Sequence, residues 1–116
     1  MDKLDMLYNE ILTFITNALG VPGEPFTAGK FTGVGWLYFH YKSASYNGMY
    51  PRIALKRQMH SVNVYVMGKD DHLLDAYAAD FGKTAVGKGC IRIKNLTPVR
   101  KARLLQLVNE LAATTQ

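Results

Sequence analysis

The sequence predicts an α+β fold, a two-layer sandwich with helices on one side of an antiparallel sheet of about four or five strands. Two observations carry that expectation. Apolar residues recur at three-and-four spacing at both ends of the chain, and they alternate with polar ones over several short segments between. Helices with one apolar stripe and strands with one apolar face bury both by stacking on each other. With 116 residues, 48% of them hydrophobic and 20% charged, the chain suffices for one domain spanning 1–116 with its own core.

The elements follow in the order α-β-β-β-α-β-α. Leu4, Leu7, Tyr8, Ile11, Leu12, Ile15, Ala18 and Leu19 form one helical stripe. Asp2 is placed to cap its start, and Gly20 before Val21-Pro22 to end it. Residues 20–34 are rich in Gly, Pro and Thr and read as a loop. Trp36 to Tyr41 reads as a strand, and Asn47-Gly48 as a hairpin turn. Arg52 to Arg57 resumes the alternation. In Ser61 to Val66 the valines point inward and Ser61, Asn63 and Tyr65 outward. Leu73, Leu74, Tyr77, Ala78 and Phe81 mark a shorter helix that Gly82 stops. Ile91 and Ile93 face inward from the last strand, opposite Cys90, Arg92 and Lys94. Thr97-Pro98 opens a final helix carrying Leu104, Leu105, Leu107, Val108 and Leu111.

Charge is segregated. The net charge is +5, with seven basic residues and no acid between Phe81 and Asn109, and six basic residues and no acid from Pro25 to Lys69. Such asymmetry attracts anionic partners at long range, although a lysine surplus also simply aids solubility. A single cysteine, Cys90, forms no internal disulfide. Asp2, Asp5 and Glu10 interrupt any signal-peptide core, and no run reaches the roughly 18 apolar residues of a membrane span. The expectation is a soluble cytoplasmic protein.

Several chemistries are tested and set aside. Gly82-Lys83-Thr84 resembles the end of a phosphate-binding loop, but Tyr77 stands where the first glycine belongs, and a helix precedes the turn instead of following it. His40, His60, His72 and Cys90 lack the close paired spacing of a structural metal site. Cys90 has cations nearby in Lys88 and Arg92, but no base can be placed beside it. No catalytic residue, metal ligand or cofactor is therefore expected, and no standard RNA-binding signature occurs.

Two blocks resemble the YdhG-like domain of unknown function, in the wider YdhG/YjbR/CyaY-like superfamily. Ala54 through Val66 is similar to that family's lysine-containing link into a strand ending in tyrosine, and Gly82 through Leu96 to its glycine-lysine turn and basic strand. With the flanking helices the likeness spans roughly residues 50–111. The resemblance implies a small α+β domain and, through comparison with frataxin, an intracellular iron chaperone. A frataxin-like iron surface implies an acidic ridge; here the first helix offers Asp2, Asp5 and Glu10 beside basic strands.

The residues themselves point to a non-catalytic binding or chaperone-like domain. Its expected surface is the sheet face away from the helices: Lys56, Ser61, Asn63, Tyr65, Arg92 and Lys94, with Tyr38 and His40 at its margin. Gly82, Gly87 and Gly89 with Lys83 and Lys88 add a turn able to hold an anion, or merely to stop a helix. The expected ligand-binding set is Lys56, Tyr65, Lys83, Lys88, Arg92 and Lys94, facing an acidic protein or a small anion. Homodimerisation through an exposed strand is a further expectation.

Overall fold

The computed structural model describes residues 2–29, 31–44, 47–67, 73–82, 84–87 and 89–114. Within them an antiparallel sheet runs in sequence order through β1 (Glu24–Ala28), β2 (Phe31–Lys42), β3 (Asn47–Arg57), β4 (Val62–Val66) and β5 (Cys90–Ile93). Helices α1 (Lys3–Leu19) and α3 (Pro98–Thr114) lie against it and against each other. Between β4 and β5, a 3-10 turn over Leu73–Tyr77 runs straight into the short α2 (Ala78–Phe81). The predicted sandwich is thus present, with one more strand than the expected order.

The helix ends follow their caps. The Asp2 carboxylate accepts from the Asp5 amide at 2.8 Å, and Gly20 closes α1 in the left-handed region with φ 73°. The Arg57 guanidinium at the end of β3 lies 2.8 Å from Asp2 and 2.6 Å from Asp5, tying the sheet to the start of α1. The Asp5 contact is an ion pair out of line for a hydrogen bond from Nε. In α3, Thr97 Oγ1 accepts from the Arg100 amide.

The core lies between the helices and one sheet face. Leu7, Ile11 and Ile15 of α1 and Leu104, Leu107, Val108 and Leu111 of α3 pack over Trp36, Ile53, Leu55, Val62, Val64, Ile91 and Ile93. Each such side chain, fully buried, stabilises by roughly 1.5–3 kcal/mol. Leu105 falls off the stripe and is 40% exposed.

Three boundaries differ from the sequence expectation, each for a physical reason. Residues 20–34 are not all loop, for they contain β1 and the first part of β2. Pro25 is tolerated because β1 is an edge strand. Gly33, which suggests a loop, and Gly35 lie within β2, where neighbouring atoms already occupy the space a side chain would need. A Cβ at Gly33 would lie 2.5 Å from the Leu55 carbonyl oxygen, and one at Gly35 would lie 2.6 Å from Pro51 Cβ. Asn47-Gly48 is not the turn: the pair already faces Lys42 and Tyr41 as the start of β3.

Leu37 sits inside β2 with φ 59°, unusual for a bulky side chain. Its neighbours explain the twist. Trp36 and Leu37 both pack on the core, while Tyr38 swings to the other face, where its ring meets Phe26 and its hydroxyl donates to the Glu24 carbonyl. The far ends of β2 and β3 extend past both flanking strands as a two-stranded arm.

Replacing Gly35 with alanine is expected to cost about 1–3 kcal/mol by overpacking. Gly87→Ala would meet only ordinary contacts, the nearest at 3.8 Å, and is the control. Urea denaturation midpoints for the two variants compare them directly; equal midpoints would contradict the close approach.

Candidate ligand-binding surface

The sheet face away from the helices is covered, but by the sheet's own aromatic side chains. Tyr65 meets Phe31 edge-on at 4.9 Å, Phe31 meets Phe26 at 6.2 Å, and Phe26 meets Tyr50 at 5.1 Å. Tyr41 and Phe39 continue the series along the arm. Edge-to-face pairs of this kind contribute about 0.5–1.5 kcal/mol each beyond their burial. At the far end the Arg52 guanidinium, almost fully buried, stacks 4.2 Å from the Phe39 centroid and donates to the Met67 carbonyl.

Phe26, Phe31, Tyr50 and Tyr65 wall an open recess of about 150 Å³ with Pro51, Ala54, Met67 and Gly89. Ala54 sits beside Tyr65 across β3 and β4, and its small side chain leaves the hollow open. Lys56, two residues along β3, holds its ammonium 5.3 Å from the Phe31 centroid. It has no carboxylate partner among the described residues.

Ser61 and Asn63 correct the sequence expectation. They face away from the helices as predicted, yet both are buried and not solvated. Ser61 Oγ donates to Asn63 Oδ1 at 2.7 Å, and Asn63 Nδ2 to the Tyr65 hydroxyl at 3.3 Å. Gln58 Nε2 donates to the same hydroxyl at 3.1 Å. A polar row satisfied internally can be buried at little cost. Strand alternation reports direction, not exposure.

Across the sheet Lys56 stands opposite Asn63, and Asn63 opposite Arg92, so Arg92 follows Lys56 along one row of the register. Arg92 and Lys94 are exposed and also line a second concavity with Phe81, Thr84, Ala85, Asn95 and Arg100, which shares no residue with the aromatic recess. His40 is exposed on the arm, opposite Met49. Lys83, Lys88 and His72 lie outside the described residues.

Three described amides of the glycine turn are already committed. Gly82 N–H donates to the Ala78 carbonyl, Ala85 N–H to Gly82, and Gly87 N–H to Cys90. Val86 bridges to Ile91, so the segment pairs along the outer edge of β5. An edge already paired is a poor seam for a second copy. Cys90 is half-buried beside this segment.

The residues that sequence reasoning missed are Phe26, Phe31, Tyr50, Ala54 and Arg100. Phe26 and Phe31 fall in the stretch expected to be loop, and Ala54 matters by what it leaves empty. Arg100 belongs to a helix whose apolar stripe drew the attention.

One clamp fixes the second concavity. The Arg103 guanidinium lies 2.7 Å from the Asp80 carboxylate, donates to the Ala76 carbonyl, and stacks 4.4 Å from the Tyr77 centroid. The Tyr77 hydroxyl donates to Glu110 at 2.9 Å. Burial, and then the Glu110 carboxylate, push the Tyr77 hydroxyl up to about 12. At the start of α1, the Asp5 amide and then Arg57 hold the Asp2 carboxyl below its ordinary value.

Among the described residues no three of His, Cys, Asp and Glu converge as a metal site would need. Among the described residues no helix is long and apolar enough to cross a membrane. Comparison with protein-family models, with curated proteins and with solved structures returns no match.

Because the Tyr77 hydroxyl is raised in the folded state from 10.0 to about 12, its stabilisation is complete below pH 10 and lost as the pH rises through 12. Tyr77→Phe is expected to cost about 1 kcal/mol at neutral pH. It should also remove part of the alkaline decline in stability. Denaturation curves of both proteins from neutral to strongly alkaline pH read the difference, and parallel profiles would refute the clamp.

Proposed function

We propose that this chain is a non-catalytic binding domain for a small ligand with a flat apolar body and an anionic group. The observation that carries this reading is the aromatic recess, one of whose wall residues, Phe31, has the Lys56 ammonium 5.3 Å from its ring centroid. A concave, mostly apolar hollow with few polar groups is the usual form of a small-molecule site. Ring walls set at steep angles to one another favour a flat body slotted between them. The Tyr65 hydroxyl already accepts from Gln58 and Asn63, which leaves its own proton for a ligand acceptor. Lys56 supplies charge without a competing carboxylate.

Of the two expected partners, the small anion suits this hollow better than a broad acidic protein surface does. The proposal extends to kinship with YdhG-like domains. Two long helices on an antiparallel sheet accord with it, and its two blocks fall on β3–β4 and on the segment leading through β5. The iron-chaperone alternative has no observation favouring it among the described residues.

The test is a titration with 2-naphthoate and with its neutral amide, followed by amide chemical shifts. The carboxylate is expected to saturate, moving Phe31, Ala54, Tyr65 and Gly89, and to bind a few-fold tighter than the amide, about 1 kcal/mol. Lys56→Gln should erase that preference and keep the same shift pattern. Absence of saturation with either compound would remove the proposed site.

A further inference from the structure

The concavity between β5 and the start of α3 is lined by three cations and no acid. Arg92 comes from β5, Lys94 follows its end, and Arg100 belongs to the first turn of α3. Bringing like charges together costs energy unless water screens them or an anion joins them. The nearby carboxylates are committed elsewhere. Asp80 pairs with Arg103 at 2.7 Å and Glu10 with Lys101 at 3.0 Å. The fold therefore neutralises Arg103 and Lys101 and leaves these three cations without a carboxylate partner among the described residues.

The cations are also positioned. Arg100 Nε donates to the Asp80 carbonyl at 3.0 Å, and Nη1 donates to Asn95 through both its carbonyl and its side chain. Its guanidinium lies 6.0 Å from the Phe81 centroid. Those contacts spend one side of the fork and leave Nη2 uncommitted among the described residues. Arg92 Nη1 reaches the Thr84 carbonyl at only 3.4 Å, a weak contact that leaves Nε and Nη2 available. A guanidinium held by backbone carbonyls loses little further entropy when it grips a ligand.

We infer that this concavity binds the phosphate dianion of a small phosphomonoester. Two guanidinium groups and an ammonium lining one concavity suit a tetrahedral oxyanion, which offers several acceptor oxygens and a double charge. A lone carboxylate would satisfy fewer of these donors. The concavity beside the cations measures about 380 Å³, more than one phosphate group fills. Phe81 and Ala85 provide an apolar wall for the organic part. This site is independent of the aromatic recess, with which it shares no residue.

The test uses phenyl phosphate and inorganic phosphate at constant ionic strength, read by amide chemical shifts on the intact protein. Phenyl phosphate is expected to saturate in the millimolar range or below, with shifts confined to Thr84, Ala85, Arg92, Lys94, Asn95 and Arg100. Inorganic phosphate should move the same residues more weakly. The double variant Arg92→Gln/Lys94→Gln removes two exposed cations, and its melting temperature should stay near that of the parent. It should bind phenyl phosphate at least about tenfold more weakly. Lys56→Gln should leave phosphate binding unchanged, which separates this site from the naphthoate site. Three outcomes overturn the inference: no saturation in the parent protein, unchanged affinity in the double variant, or inorganic phosphate binding as tightly as the ester.

Discussion

The close approach of side chains to bare backbone at Gly33 and Gly35 governs the architecture of the outer sheet face. With only hydrogen at those two positions, the Phe31 ring and Pro51 lie directly on β2. From that contact the aromatic series runs to Tyr65 on one side and through Phe26 to Tyr50 on the other. A sheet packed on helices at one face usually presents a solvated face at the other. Here the second face carries its own thin apolar layer, and the recess is the gap which that layer does not fill.

The charges follow a comparable division. Carboxylates of α1 and of the segment before β5 hold Arg57, Lys101 and Arg103 at junctions between elements. Lys56, Arg92, Lys94 and Arg100 are left to rings, carbonyl oxygens and solvent. Exposed ion pairs of this kind stabilise a fold only slightly. Their larger effect is on the electrostatic field, because each pair removes an acid that would otherwise cancel a binding cation.

Much of the fold was legible in the sequence because its strongest signals were local. The stripe from Leu4 to Leu19, the Asp2 cap and the Gly20 stop needed no knowledge of the rest of the chain. The alternation from Ser61 to Val66 gave the correct inward valines. What escaped depended on long-range contact. Gly33 resembles a loop residue until the Leu55 carbonyl and the Phe31 ring are seen against it. Asn47-Gly48 resembles a turn until Lys42 and Tyr41 are seen opposite. Of the four expected site residues that are described, Tyr65 lines the aromatic recess, Arg92 and Lys94 line the second concavity, and Lys56 stands beside Phe31. Strand alternation predicts their direction but not these hollows, which depend on Phe26, Phe31 and Arg100 from distant parts of the chain.

The order of strands has one more consequence. Each of the first four strands lies beside its neighbour in sequence, so most of the sheet can zip up by short loop closures, which are entropically cheap and fast. The costly closure is the meeting of α1 with α3, which come from opposite ends of the described chain. Until those helices dock, the isoleucines and valines of the inner face stay wet. Completion of the core therefore waits for α3, and a nascent chain still lacking that helix would hold a half-clad sheet, exposed to aggregation until α3 emerges.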